Sequence, residues 1–341
     1  MAELSSHRVL DVLRAIAEET RLQIVVLLQH GELTVTDLTE ILGQSQPRIS
    51  RHLKVLTAAG VLDKHREGTW VFFDLVADGP IAELVAEVVA RVSRHDAAVA
   101  IDLDRLAAVR ARRAASAQEY FAGVAPRWDE ERSLHAADEV VEAAVVDVAS
   151  QQPYTSMLDL GTGTGRMLQL LAHDGVERAI GLDASHSMLA VARSNLERAE
   201  VRRVDLRQGD VYSPPLDRKA FDLVVIHQVL HFLDDPARAI REAARLLSPG
   251  GRLLIVDFAP HSLEFLRSEH AHRRLGFRTD TVTGWMAHAR LDVGPTRTIE
   301  PPGDAAERLT VCLWVGSAGL PAATNTDRTR SDASRQGVDP T

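Results

Sequence analysis

The chain has 341 residues, 45% of them apolar, with 39 Lys and Arg against 48 Asp and Glu and a formal net charge of −9. That length favours about two domains, and the acidic balance means that any nucleic-acid-binding surface must be local. A single cysteine excludes an intramolecular disulfide and a cysteine-cluster metal site, which suits a reducing cytoplasm. Met1 to Arg8 lacks the apolar core of a signal peptide. No apolar run approaches the roughly 20 residues of a membrane span.

In chain order, a helix is expected over His7 to Ala17, with Val9, Leu10, Leu13 and Ile16 on one side. Thr20 can cap a second helix, Arg21 to Gln29, which Gly31 ends. Thr34 and Asp37 have the spacing of a capping box for a third, ending near Gly43. A fourth runs from Gln46 to Ala59, with Ile49, Leu53 and Leu56 inward and Gln46, Arg48, Ser50, Arg51, His52 and Lys54 outward. Two helices joined by a short turn, the second polar and basic, make a helix-turn-helix. Leu62 to Arg66 and Thr69 to Leu75 then flank Glu67-Gly68 as a hairpin, or wing. Between Gln44 and Arg66 five Lys or Arg residues face one acid, Asp63. That is the local basic patch. Ser45, Gln46, Arg48, Ser50, Arg51, His52 and Lys54 are candidates to read DNA, and Arg66 to hold phosphate.

The run Ser45-Gln46-Pro47-Arg48-Ile49-Ser50-Arg51-His52-Leu53-Lys54-Val55-Leu56, followed by Ala59-Gly60-Val61-Leu62, resembles the ArsR/SmtB family of winged-helix repressors. The resemblance implies double-stranded operator DNA as partner and a homodimer through the first and last helices. The last helix here is Ile81 to Arg94; docking on the second domain would explain its apolar face equally well. Metal-sensing members carry two thiolates in a box that reads Glu32-Leu33-Thr34-Val35-Thr36-Asp37-Leu38 here. Hydroxyls at Thr34 and Thr36 do not replace thiolates for soft metals, and His95 and Asp96 lack a second pair. No metal is expected, which leaves the regulator without its family's sensor.

Residues 98–117 read as a helical connector between a winged-helix domain at 1–97 and a second domain at 118–318. The tail at 319–341 is too polar to bury a core and reads as disordered. In the second domain strands and helices alternate, the mark of a parallel sheet covered on both faces. Met157 to Leu160 is a strand leading into Gly161-Thr162-Gly163-Thr164-Gly165 and a helix from Met167 to Ala172. A glycine-rich turn of this kind brings a ligand onto bare backbone. A dinucleotide fingerprint wants glycine at the sixth position, which is Arg166. Asp183 ends the next strand, 22 residues after Gly161, close to the roughly 20 typical of a ribose-binding acid. Strands follow at Val204 to Gln208, Phe221 to Ile226 and Arg252 to Asp257, then near Thr296 to Glu300 and Leu309 to Val315. Pro236 to Leu246 is a helix, and Pro249-Gly250-Gly251 a turn.

Asp159-Leu160-Gly161-Thr162-Gly163-Thr164-Gly165, with the Pro-Gly-Gly turn, resembles motif I and its context in class I S-adenosylmethionine (SAM)-dependent methyltransferases of the ubiquinone-biosynthesis type. The fold class expected is therefore an N-terminal α+β winged helix-turn-helix and a C-terminal α/β Rossmann-like domain. The resemblance implies that Asp159, Gly161, Gly163 and Gly165 hold the methionine half, Asp183 the ribose, Asp210 and Val211 the adenine. His227 and Gln228 line the sulfonium side, with a lid around Tyr120, Phe121, Trp128 and Asp129. Methyl transfer from a sulfonium can run on positioning and desolvation. Candidate bases are His227 and His231, then Glu269, His270 and His272 in a segment, Glu264 to Phe277, that also reads as a solvated amphipathic helix. Three functions stay open. One is a regulator responding to SAM or S-adenosylhomocysteine. Another is an active small-molecule methyltransferase with an appended autoregulatory domain. In the third, the second domain serves assembly alone.

Overall fold

The structure, a computed structural model, describes residues 3–67, 69–93, 96–125, 138–301 and 309–319. The expected lid residues Trp128 and Asp129, and the tail beyond 319, lie outside them. Helices α1 (Ser6–Ile16), α2 (Glu19–Leu28), α3 (Val35–Leu42) and α4 (Gln46–Ala58) precede the hairpin of β2 (Leu62–Glu67) and β3 (Trp70–Leu75) and helix α5 (Pro80–Ala90). A two-residue strand, β1 (Leu33–Thr34), joins the hairpin by pairing with β3, which one apolar and one polar residue alone could not announce. The cap of α2 is Glu18, whose carboxylate accepts from the Arg21 N–H at 3.0 Å. Thr20, expected in that role, is buried and accepts from the Gln44 amide at 3.1 Å instead. The Thr34–Asp37 capping box forms as expected.

The connector is one 28-residue helix, α6 (Ala97–Val124), with no break at 117. Its N-terminal half places Val99, Leu106 and Val109 in the winged-helix core, where burying each aliphatic side chain is worth about 1.5–3 kcal/mol. α5 packs Val85 and Val89 into the same core rather than onto the second domain.

After α7 (Asp138–Ser150) come the strands β4 (Ser156–Leu160), β5 (Arg178–Asp183), β6 (Val204–Gln208), β7 (Phe221–His227) and β8 (Leu247–Phe258). The last strands are β9 (Leu291–Val293), β10 (Arg297–Ile299) and β11 (Val311–Ala318). The sheet order is β10-β11-β8-β7-β4-β5-β6, with β9 pairing to β11. β6, β5, β4, β7 and β8 run parallel, and β11 is antiparallel to β8. Two apolar layers, one on each face, cover the sheet. The Pro249-Gly250-Gly251 turn loops out of β8 where its register with β7 shifts between Phe221 and Leu223. Chain order reverses between β4 and β7, which opens a crevice at their carboxyl ends, the usual ligand position of an open α/β sheet.

Candidate cofactor cavity and nucleic-acid face

Gly161, Gly163 and Gly165 all have positive φ (77°, 53° and 83°), so the turn after β4 needs residues without a Cβ. At Gly161 a Cβ would also overlap both γ carbons of Val229. The Gly161 and Thr162 N–H groups donate to the Leu182 carbonyl at 2.7 and 3.0 Å, which ties the turn to β5. Gly165 caps the helix α8 (Arg166–Leu171). Arg166, at the position a dinucleotide fold keeps as glycine, is held by a bidentate pair with Glu142 at 2.7 and 2.6 Å.

The strand ends converge on a cavity of about 390 Å³. Asp159, Gly161, Gly163, Asp183, Asp210, Val211, His227 and Gln228, all named from the sequence, line it. Of the other expected residues, Gly165 and His231 do not, and neither do Tyr120, Glu269 and His270. Gly165 sits behind the turn against Ala192. His231 is 2% exposed and turns its Nδ1 to Asp257 at 2.8 Å, beneath the cavity. The reason is visible in the chain: Leu230–Phe232 is a 3-10 turn that aims His231 at the end of β8.

Asp159 is buried, with one carboxylate oxygen accepting from Thr162 Oγ1 at 2.6 Å and the other without a hydrogen-bond partner among the described residues. Burial, and then the nearby Asp183 charge, push its carboxyl up to about 7. Asp183 accepts from the Gly163 and Ser185 N–H groups, both at 2.8 Å, yet burial still raises its carboxyl above the ordinary value. Gln228 is held at φ 54° by a backbone bond to Val256 at 2.7 Å, leaving its buried amide nitrogen without a partner among the described residues. The orphaned Asp159 carboxylate oxygen fits the ammonium of an amino-acid ligand, the methionine half of SAM.

The opposite wall comes from outside the sheet. Residues Arg113, Ala117, Gln118 and Phe121 of α6, and Trp70 from the wing tip, face the cavity with Phe232 and His272. Of these α6 and wing residues, only Phe121 was legible in the sequence, as part of the expected lid.

The segment Glu264 to Phe277 corrects its expectation as a solvated helix. Only Phe265–Glu269 is helical, and Arg273 and Arg274 are 8% and 1% exposed. Arg274 pairs with Glu32 at 2.6 Å and Glu67 at 3.2 Å and lies 3.8 Å over the Phe72 ring. Arg273 pairs with Asp234 at 2.6 Å and with Asp37 at 3.6 Å, and Arg113 of α6 pairs with the same two carboxylates. Arg267 reaches Glu67 at 3.4 Å and stacks 4.3 Å over Trp70. The wing and the start of α3 are thus clamped to the second domain. Burial lowers Arg273 to about 10, opposed by the Asp234 charge. Burial and the Glu32 charge raise Asp74, on β3 at this interface, to about 7.

On the other side of the N-terminal domain, α4 buries Ile49, Leu53 and Leu56. Ser45, Gln46, Arg48, Ser50, Arg51 and Lys54 lie on its outer side with Arg66 of β2, all of them exposed or half-buried. Arg48, Arg51 and Lys54 pair with no carboxylate among the described residues, so their charge is available to phosphate. His52 departs from the expected outward face: its ring is 3.4 Å from Glu18, and burial lowers its pKa.

Fold and site together define a winged helix-turn-helix joined to a class I methyltransferase fold. The model of the bacterial regulatory protein arsR family matches residues 18–64, and that of the methyltransferase domain matches 158–255. The arsenical resistance operon repressor of Escherichia coli is 48% identical over 67 residues, which is 19% of this chain and 57% of that protein. A demethylmenaquinone methyltransferase of Thermus thermophilus is 35% identical over 146 residues, 41% of this chain and 64% of its own length. A phosphatidylethanolamine N-methyltransferase of Cereibacter sphaeroides is 32% identical over 154 residues, 43% of this chain and 75% of that one. The chain belongs to the SAM-dependent methyltransferases through its C-terminal domain and carries an arsR-family helix-turn-helix at its N-terminus. It spans about half the length of most curated relatives it matches.

Proposed function

We propose that the chain is a DNA-binding transcriptional regulator of the arsR type whose methyltransferase domain binds SAM or S-adenosylhomocysteine and thereby sets its grip on operator DNA. The observation that carries this reading is the clamp on the former sensor box. Glu32 and Asp37 frame the stretch where metal-sensing relatives place thiolates, and here they receive Arg274, Arg273 and Arg113. Thr34, in a thiolate position, is committed to capping α3. The second domain takes the place of the metal. α6 supports the same reading, since it starts in the winged-helix core and ends on the cofactor cavity.

SAM, when bound, supplies a methyl group on a sulfonium. Asp159, with the turn at Gly161 and Gly163, holds the amino-acid end; Asp183 holds the ribose hydroxyls; Asp210 and Val211 hold the adenine. Gln228 and His227 face the sulfonium side, and His227 is the imidazole placed to take a proton from an acceptor. Operator DNA meets Ser45, Gln46, Arg48, Ser50, Arg51, Lys54 and Arg66 of a homodimer. The exposed Leu10 and Leu13 of α1 support that dimer seam. The reading sets the protein in the cytoplasm without a membrane, and it expects no metal because Thr34 and Thr36 put hydroxyls where soft metals need thiolates. Among the described residues no helix is long and apolar enough to cross a membrane, and no cluster of three metal-ligating side chains occurs.

The room on the Phe121–Phe232 side of the cavity favours a second reading, turnover of a small-molecule acceptor by the same site. The test is fluorescence anisotropy on the chain's own upstream DNA at fixed salt, because affinity depends steeply on salt. Either adenosyl ligand should shift the affinity about 5- to 150-fold, and Asp183→Ala should abolish the shift. DNA binding that neither ligand alters rejects the sensor reading and leaves catalysis.

A further inference from the structure

The residues that fit SAM occupy one side of the cavity. The other side is aromatic and is shared between the two domains. Phe121 and Phe232 meet edge to face at 4.9 Å, and Phe232 meets His272 at 5.1 Å. Across from the sheet stands Trp70, 36% exposed, with the Arg267 guanidinium against one face of its ring. The charges on this side are internally balanced. Arg267 is paired with Glu67 and Glu264, and Arg273 with Asp234. A carboxylate or phosphate ligand would have to break those pairs, and an ammonium would meet Arg267 behind the tryptophan. A flat uncharged ring meets neither cost, and gains from offset or edge-to-face packing.

We propose that this wall is a binding subsite for a flat, uncharged aromatic molecule beside the adenosyl ligand, complete only while the wing is docked. Since Trp70 sits on the wing, such a molecule favours the docked wing and is linked to DNA affinity. That link rests on the regulator reading above, while the binding itself does not. Glu67 and Thr69 are held by Arg267 and by the Glu264 carboxylate, which accepts from the Thr69 N–H at 2.7 Å. Ligand and clamp therefore act on the same few residues.

The experiment uses the full chain saturated with S-adenosylhomocysteine and titrates 2-naphthol by calorimetry, with tetramethylammonium and 1-octanol as controls. The subsite predicts that 2-naphthol binds and both controls bind at least about tenfold more weakly. Trp70→Ala should cost 2-naphthol about tenfold and leave the S-adenosylhomocysteine affinity unchanged; Trp70→Phe should restore most of the loss. In wild type, 2-naphthol should also shift operator affinity, and in Trp70→Ala it should not. Absent naphthol binding, equal binding to Trp70→Ala, or tighter binding of either control overturns the subsite. An operator affinity indifferent to bound naphthol overturns its link to the wing. Failure of S-adenosylhomocysteine to bind the wild-type chain is a separate result and overturns the cofactor reading instead.

Discussion

Two basic segments of this chain have opposite fates. Helix α4 and the stretch from Glu264 to Phe277 are both dense in Arg and His, and both read locally as charged surface. In α4 the cations stay on the surface, because its apolar residues recur on one face and Arg48, Arg51 and Lys54 fall on the other. In the second segment Arg267, Arg273 and Arg274 are drawn inward, because Glu32, Asp37, Glu67 and Asp234 come to meet them from far away in the chain. A guanidinium goes where its carboxylates are. Exposed cations cost folding little and stay available to phosphate; buried ones tie two domains together and become expensive to remove.

That contrast can be broken most forcefully at Arg274. Its removal leaves Glu32 and Glu67 buried without their main counterion, so Arg274→Ala should cost about 3–5 kcal/mol of stability in urea unfolding. A loss no larger than that of an exposed arginine would mean the clamp is not structural. Next in size is Gly161→Ala, which forces a Cβ onto Val229 at φ 77°. Backbone strain of about 1–3 kcal/mol should lower S-adenosylhomocysteine affinity about 5- to 150-fold, read by calorimetry, with ligand-free DNA binding unchanged.

A smaller effect follows from Asp159. Its carboxyl is raised to about 7 in the folded protein, so the stability it contributes is full below about pH 4 and lost as pH rises through 7. A ligand ammonium prefers the ionised form. Affinity for S-adenosylhomocysteine should therefore climb between about pH 6 and 8, by up to about tenfold, and Asp159→Asn should flatten the profile. Asp74 titrates in the same window but at the domain interface, so Asp74→Asn should leave that profile intact. Smallest for the fold is the exposed pair. Arg48→Ala with Arg51→Ala should leave the melting temperature unchanged and reduce the salt slope of DNA binding by about 1 for each phosphate that is no longer neutralised.

The winged helix and the parallel sheet were legible because each rests on local period and turn chemistry. The Thr34–Asp37 capping box, the Gly161–Gly165 turn and the Pro236–Leu246 helix all appear where the residues placed them. The cofactor side of the cavity was legible for the same reason, since Asp159, Asp183 and Asp210 stand at strand ends with countable spacing. What local pattern could not show was the partner of each charge. Nothing in the sequence around Trp70 says that a wing tip faces a cofactor cavity, and nothing around Arg274 says that it is buried. His231 shows the converse: a histidine after a strand looks available until Asp257, 26 residues on, claims it.

The central claim is that the cofactor cavity and the DNA-binding face form one coupled system, and linkage requires such coupling to be reciprocal. The most direct measurement is the calorimetric affinity of the full chain for S-adenosylhomocysteine with and without saturating operator duplex, at one salt concentration. The clamp predicts that DNA changes this affinity by the same factor by which the ligand changes DNA affinity, and that Arg274→Ala removes both changes together. Equal ligand affinity with and without DNA would contradict the claim and reduce the molecule to two independent domains.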